Sequence, residues 1–130
     1  MFITREMDYC IRIVRALHHG GMLSATEIAA KENMPQAITY KLLKQLLKSD
    51  IVKSFRGAEG GYKLNINCNS VTIMDLFRKM GIEVAINKCL TPGYMCENID
   101  CNVCKVHQEL NRIQTVLIEE LGRKPLASIL

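Results

Sequence analysis

The sequence has no stretch that approaches the roughly 18–20 consecutive apolar residues a helix needs to cross a bilayer. Its first ten residues, MFITREMDYC, carry charges and lack a signal-peptide pattern. We therefore expect a cytoplasmic protein without a membrane partner. With 48% hydrophobic and 23% charged residues, the 130-residue chain can form a packed core in one domain, or in one domain with an appendage.

The sequence also lacks the side-chain arrangements on which enzymes depend. It has no phosphate-binding glycine loop, no Ser/His/Asp arrangement and no carboxylate pair suited to acid–base catalysis. Internal repeats and low-complexity segments are absent as well. We therefore predict that the protein is not an enzyme and has no small-molecule substrate.

Positive charge is concentrated in the first half of the chain. Residues 1–56 contain nine Lys/Arg and five Asp/Glu, whereas residues 57–130 contain eight of each. The formal net charge of +4 therefore belongs to the first half. A basic half is typical of a region that meets a polyanion, although solvated surface charge is the simpler explanation when charge is considered alone.

Hydrophobic periodicity predicts helices over about 4–19, 25–32 and 35–49. Ser24 and Glu27 form a capping box before the second helix, and Pro35 suits the first turn of the third. Two short β runs, DIVKSF and YKLNI, flank the glycine-rich RGAEGG and predict a hairpin over about 51–66. The predicted fold is mainly α with a small β-hairpin wing, in the order of a winged helix-turn-helix.

In such a domain the third helix enters the DNA major groove, and the wing can place an arginine in the minor groove. The exposed face of the third helix combines small, amide, aromatic and cationic side chains. We predict that double-stranded DNA is contacted by residues on or beside this face and by one wing residue. They are Gln36, Ala37, Thr39, Tyr40, Lys41, Lys44 and Arg56.

The second half of the sequence predicts a helix at TIMDLFRKMG, capped by Thr72 and Asp75. It also predicts a long helix from about residue 101 to Leu121. The long helix carries a narrow apolar stripe typical of a coiled-coil seam. Its members are Val103, Val106, Leu110, Ile113, Leu117 and Leu121. We expect this helix to pack on its twin in a homodimer. The predicted divisions are a winged domain over 1–81, a cysteine-rich loop over 82–101, and a dimerisation helix with its tail over 102–130.

Four of the six cysteines, Cys89, Cys96, Cys101 and Cys104, lie close together, and His107 follows them. A reducing compartment argues against structural disulfides and favours metal binding or redox chemistry. Thiolates with an imidazole suit zinc or an iron–sulfur cluster, although the paired CxxC knuckles of common zinc ribbons are missing. Buried thiols and a redox-switch disulfide remain alternatives. A CxxC oxidoreductase ranks last, since no thioredoxin-like βαβ pattern accompanies the pair.

Several segments together resemble the Rrf2 family of bacterial winged-helix transcription regulators. They are ATEIAAKENMPQAITYKLLKQLLKSDIV, the wing SFRGAEGGYKL, the helix VTIMDLFRKM, and the cysteine cluster before a long helix that leads to KPLASIL. The resemblance covers nearly the full chain. Its most specific signature is Arg-Gly, two residues, then Gly-Gly-Tyr.

The resemblance implies a homodimeric regulator, a repressor, that binds a palindromic operator and senses iron, redox state or nitric oxide through an iron–sulfur cluster. It implies that Cys89, Cys96 and Cys104 hold the cluster, with His107 as the fourth ligand. In the family's nitric-oxide sensors an acidic residue of the partner subunit takes that place, and Asp8 matches it here.

Two features keep the ligand set open. Both gaps between the three cysteines are longer than in the cluster-binding members, and Cys101 is an extra thiol that could replace Cys104. A two-iron cluster is favoured over a four-iron cluster, and either is often lost from protein prepared in air. The alternatives are a zinc-stabilised domain or a cluster-free regulator that acts through thiol redox or a protein partner.

Overall fold

The computed structural model describes residues 3–98, 100 and 102–130. Its helices and strands follow one another as α1 (Arg5–Gly20), α2 (Ala25–Lys31), α3 (Gln36–Lys48), β1 (Val52–Phe55), β2 (Gly61–Leu64), α4 (Ile73–Lys79) and α5 (Lys105–Leu121). Short 3-10 turns lie at Lys88–Leu90 and Leu126–Ser128. The predicted fold, mainly α with one β-hairpin, is confirmed.

Side-chain caps fix where the short helices begin. Before α2, the Ser24 hydroxyl accepts from the Glu27 amide at 3.1 Å, and the Glu27 carboxylate accepts from the Ser24 amide at 2.7 Å. Thr72 and Asp75 form the same reciprocal pair before α4, and these hydrogen bonds lower the pKa of Asp75. Both predicted capping boxes are confirmed, and each satisfies amide groups that a helix start leaves unpaired.

The core lies between α1, α2 and α3 and extends to α4. Its largest fully buried side chains include Ile13, Ile28, Leu42 and Phe77. An ion pair between Arg15 of α1 and Glu32, directly after α2, closes one side of this core. Glu32 is only 8% exposed, so its carboxylate depends on Arg15 for compensation.

The wing is an antiparallel hairpin in which Val52 pairs with Leu64 and Phe55 with Gly61. The second strand is also tied to the segment before α2. Leu23 and Tyr62 exchange backbone hydrogen bonds of 3.0 and 2.7 Å. A Cβ atom on Gly61 would lie 2.7 Å from the Leu23 carbonyl oxygen, so this close approach requires glycine. The wing is thereby anchored to the helix-turn-helix.

Helix α5 begins at Lys105, so the predicted start near residue 101 is wrong. A local turn takes the place of the expected first helical turn. The Asp100 carbonyl accepts from the amides of Val103 and Cys104, at 3.1 and 3.2 Å. The Asp100 carboxylate also accepts from the amide of Asn102. Side-chain hydrogen bonds of this kind compete with helix formation, and Val103 therefore lies outside the helix.

Beyond α5 the chain returns to the winged domain. Thr72 and Pro125 form a β-bridge, the Leu126 amide donates to the Val71 carbonyl, and the Ala127 amide donates to the Cys68 carbonyl, both at 2.8 Å. The Leu126 side chain is fully buried in the core cluster. The tail is therefore a structural part of the winged domain. In the described ranges, no helix has the length and apolar character required to span a membrane.

Candidate DNA interface and thiol site

One face of α3 is open to solvent. Because Leu42, Leu43 and Leu46 are buried, the opposite side of the helix presents its polar residues outward. Five of the predicted DNA-contacting residues lie on this open face. They are Gln36, Ala37, Tyr40, Lys41 and Lys44. Tyr40 is 47% exposed, which gives the face an aromatic side chain beside its cations.

Thr39 does not belong to this face, and the prediction that it lies there is corrected. Its side chain is fully buried, and its hydroxyl donates to the Pro35 carbonyl at 3.0 Å. That hydrogen bond satisfies the hydroxyl inside the core, which allows a polar residue to occupy a buried position. Thr39 therefore supports the start of α3 and cannot reach DNA.

The wing presents a second exposed surface at its turn. Arg56 and Phe55 are exposed, and Arg56 immediately precedes Gly57, whose φ is +109°. A Cβ atom on Gly60 would lie 2.2 Å from the Phe55 carbonyl oxygen, so the turn is too tight for another residue. These two glycines shape the loop that carries Arg56 outward, as expected of a wing that contacts DNA.

A contact that the sequence does not indicate brings an acidic side chain against the open face of α3. Lys41 of α3 forms an ion pair with Glu6 in the first turn of α1. The two residues are 35 positions apart, so no local sequence pattern could indicate the contact. It links the first turn of α1 to the middle of α3.

The three predicted ligand cysteines lie on different local structures. Cys89 is in the 3-10 turn after residue 87, Cys96 is in the following loop, and Cys104 is the N-cap of α5. All three are partly exposed. Cys101, the alternative thiol, is outside the described residues. Among the Cys, His, Asp and Glu side chains that the structure describes, no group of three is close enough together to hold a metal ion.

Two of the predicted ligands, Cys104 and His107, lie at the head of α5. The Cys104 sulfur accepts from the His107 amide at 3.4 Å, which positions both side chains on the same helical turn. The His107 Nδ1 atom is buried and has no hydrogen-bond partner in the described part of the chain. A buried polar atom without a partner is costly, and an imidazole nitrogen and a thiolate are both ligands that suit a soft metal centre.

The start of the cysteine loop is attached to α5. The Gln114 side chain accepts from the Ile86 amide at 3.0 Å, and the turn that contains Cys89 packs on the same helix. Beyond it the chain turns at Gly93, whose φ is +78°, before reaching Cys96. The loop is therefore connected to α5 near its head, through Cys104, and near its middle, through Gln114.

Asp8, the alternative fourth ligand, is partly buried on α1. Its carboxylate accepts from the Arg12 guanidinium at 2.9 Å. Arg12 also lies over the ring of Tyr9. A partner subunit's cluster would have to draw this carboxylate away from Arg12, and the role of Asp8 as a ligand stays a prediction.

The two remaining cysteines belong to the core. Burial raises the pKa of Cys10 to about 12 and also raises the pKa of Cys68. Both thiols are therefore neutral and inaccessible at ordinary pH.

A brief iodoacetamide pulse at neutral pH is expected to label Cys89 and Cys104 in native, metal-free protein and to leave Cys10 and Cys68 unlabelled. The reason is the partial exposure of the first pair and the burial of the second. Peptide mass spectrometry reads the labelling site by site. Early labelling of Cys10 would contradict the packing of α1.

The sequence and the fold of this chain are similar to those of known transcriptional regulators. A Rhodobacter capsulatus protein, provisionally named an rrf2-like HTH-type transcriptional regulator, is 29% identical over 92% of this chain and 87% of its own. CymR, the global cysteine regulator of B. subtilis, superposes with a TM-score of 0.73 at 25% identity, over 98% of this chain and 94% of CymR. IscR of T. potens shares the fold, with a TM-score of 0.70 at 21% identity over 98% of this chain and 84% of its own.

The sequence profile of Rrf2, described as an iron-dependent transcriptional regulator, matches residues 3–130. Proteins of this kind are DNA-binding regulators and not enzymes, which confirms the prediction made from the missing catalytic arrangements. The winged helix-turn-helix, the signature in its wing and the match over almost every residue lead to one conclusion: the chain belongs to the Rrf2 family of transcriptional regulators.

Proposed function

We propose that this chain is a homodimeric, cytoplasmic repressor whose affinity for a palindromic operator is switched by an iron–sulfur cluster. The proposed ligands are Cys89, Cys96, Cys104 and His107. The observation that carries the proposal is the buried Nδ1 of His107, which has no hydrogen-bond partner among the described residues and lies on the same helical turn as the Cys104 thiol. The chemical nature of the four donors and the iron-dependent character of the family support it.

The open face of α3 and the wing supply the DNA-binding part of the function. Lys44 and Arg56 provide charge for phosphates, and Gln36 and Tyr40 provide polar and aromatic groups for base edges. In a dimer two such surfaces would read half-sites about one helical turn apart. This geometry would explain why the positive charge lies in the first half of the chain.

The switch would act through α5 and its attached loop. Cys89, Cys96, Cys104 and His107 would hold the cluster, which would supply ligation to iron for thiolates that are not gathered into one group in the described part of the chain. Cys89 and Cys96 would move towards Cys104, and the Ile86–Gln114 hydrogen bond would pass that movement to the middle of α5. If two arrangements of α5 bind the cluster with different free energies, cluster binding shifts the equilibrium between them. The coupling free energy between cluster and operator is reciprocal, so the operator affinity must change by an equal amount.

The surface of α5 supports the proposed homodimer. The predicted apolar stripe divides into two parts. Leu110, Leu117 and Leu121 are half-buried by their own chain. Val103, Val106 and Ile113 are 64%, 68% and 41% exposed. Val116, which was not part of the predicted stripe, is 47% exposed. Every side chain of α5, a helix of 17 residues, is at least partly exposed. An amphipathic helix that exposes this much apolar surface to water is typical of a helix that packs on a second helix in an assembly.

Replacing Ile113 with glutamate is therefore expected to dissociate the dimer, because a carboxylate would have to be buried at the seam. We expect the dissociation constant to rise at least about 30-fold, the effect of losing one interface hot spot. Thr115→Glu is the matched control, since two residues further on project to the opposite side of a helix. Light scattering after gel filtration measures both variants. A dimeric Ile113→Glu protein would place the subunit interface elsewhere.

The experiment that tests the whole proposal is purification without oxygen, followed by the visible spectrum and by iron, sulfide and zinc assays on one sample. Iron and sulfide in matched amounts would support the cluster, and their ratio to protein would separate two-iron from four-iron. Binding of promoter DNA by the loaded and cluster-free forms then gives the sign of the switch. Protein that stays colourless after reconstitution would exclude cluster sensing.

A cluster-free thiol regulator is the second candidate. Two observations favour it: the described thiols are not gathered into a three-ligand group, and the chain is similar to CymR, named as a regulator of cysteine. In this case the partly exposed Cys89 and Cys104 would sense oxidants or meet a protein partner. Zinc without sulfide in the metal assay would instead indicate a zinc-stabilised domain.

A further inference from the structure

The ion pair between Glu6 and Lys41 joins an acid to the surface proposed to meet DNA. Lys41 lies on the open face of α3, and Glu6 lies in the first turn of α1. Their side chains are 57% and 55% exposed, so water reaches both groups. A DNA phosphate that approached this part of α3 would therefore meet a lysine already paired with a carboxylate.

We propose that Glu6 competes with DNA phosphates for Lys41 and thereby lowers the affinity of α3 for DNA of any sequence. This inference rests on the proposed function, because it requires α3 to face DNA. The Glu6 carboxylate occupies the ammonium group that a phosphate would otherwise bind, and its negative charge repels the polyanion. Since binding to non-specific DNA is almost entirely electrostatic, that mode of binding is the most sensitive to an added acid.

The strength of the contact is suited to this role. Exposed ion pairs are weak, so a correctly placed operator can draw Lys41 away from Glu6 at little cost. Base contacts by Gln36 and Tyr40 are formed only on the operator and can offset that cost. Glu6 would therefore lower the affinity for random DNA and for the operator alike, so that stable binding depends on the base contacts that only the operator provides.

A purely structural role explains the contact less well. Helices α1 and α3 are already held together by buried side chains, among them Ile13, Leu42 and Leu43. An exposed pair adds little to such an interface. The carboxylate of Glu6 can therefore be removed without unfolding the domain, and thermal melting of the variant checks that this is so.

The test compares wild-type protein with Glu6→Gln, both free of metal, on a short fluorescent duplex of random sequence across a range of salt concentrations. Glu120→Gln is the matched control, because Glu120 near the end of α5 pairs with Arg123 just beyond the helix and has a similar exposure of 52%. We expect Glu6→Gln to bind about threefold to tenfold more tightly at low salt, with a steeper salt dependence by about one unit of slope. Glu120→Gln should bind as the wild type does.

A second comparison isolates Lys41. In a Lys41→Gln background the effect of Glu6→Gln should shrink, because no ammonium group remains to be released. If the wild type binds DNA and Glu6→Gln binds it equally or more weakly, the inference is overturned. Glu6 would then be a residue that positions Lys41. If neither protein bound DNA at all, the proposed DNA-reading role of α3 would be lost and this inference with it.

Discussion

Replacement of Leu126 by alanine is expected to lower the free energy of unfolding by about 2–5 kcal/mol, the usual range for a fully buried leucine. Leu126 comes from the tail, yet its side chain is completely enclosed by the core of the winged domain. Truncation would leave a cavity that the neighbouring helices cannot readily fill. Urea unfolding followed by circular dichroism measures the change.

The control is Ile129→Ala in the same tail, where the side chain is 43% exposed. This substitution should lower the free energy of unfolding by less than about 1 kcal/mol, because it removes little apolar surface from the core. Both variants must be compared at one protein concentration, since dimerisation would add to apparent stability. Equal losses in the two variants would show that the tail does not dock as described.

Replacement of Cys89 by alanine is expected to abolish the visible chromophore of protein purified without oxygen. A cluster that loses one of three thiolates is left with an open iron site and is exposed to solvent and hydrolysis. Iron and sulfide should fall together in this variant. Operator binding should then match that of the cluster-free wild type, whichever sign the switch has.

Cys68→Ala is the matched control for the thiol variant. Cys68 is buried in the core, with its pKa raised by burial, and has no part in the proposed ligand set. The colour of the protein should survive this change even if stability falls slightly. A full cluster in Cys89→Ala would refute the ligand assignment and would bring Cys101 into the ligand set.

Local signals explain why much of the fold was predictable. The Ser24–Glu27 box marks the start of α2 through hydrogen bonds between residues three apart. The wing was visible because its turn is rich in glycine, and a Cβ atom on Gly60 would lie too close to the Phe55 carbonyl oxygen. Each of these features depends on neighbours in the chain, so a single sequence is enough to reveal it.

The errors and omissions have equally physical causes. Thr39 was predicted to lie on or beside the DNA-contacting face, whereas its burial and its hydrogen bond to the Pro35 carbonyl depend on the folded structure. The start of α5 was placed too early because the turn at Asp100 competes with the helix. The Glu6–Lys41 pair joins positions far apart in sequence. Such contacts are products of tertiary packing, which periodicity does not encode.

The return of the tail has a consequence for synthesis on the ribosome. The core around α1 and α3 is complete only when Leu126 fills it, and the hydrogen bonds of Leu126 and Ala127 close a loop of more than fifty residues back to Val71 and Cys68. Contacts so distant in sequence form late. Helix α3 is translated early, yet it becomes part of a finished domain only after residue 126 has emerged. A chain interrupted between α4 and the tail would carry α3 without the packing that holds it in place.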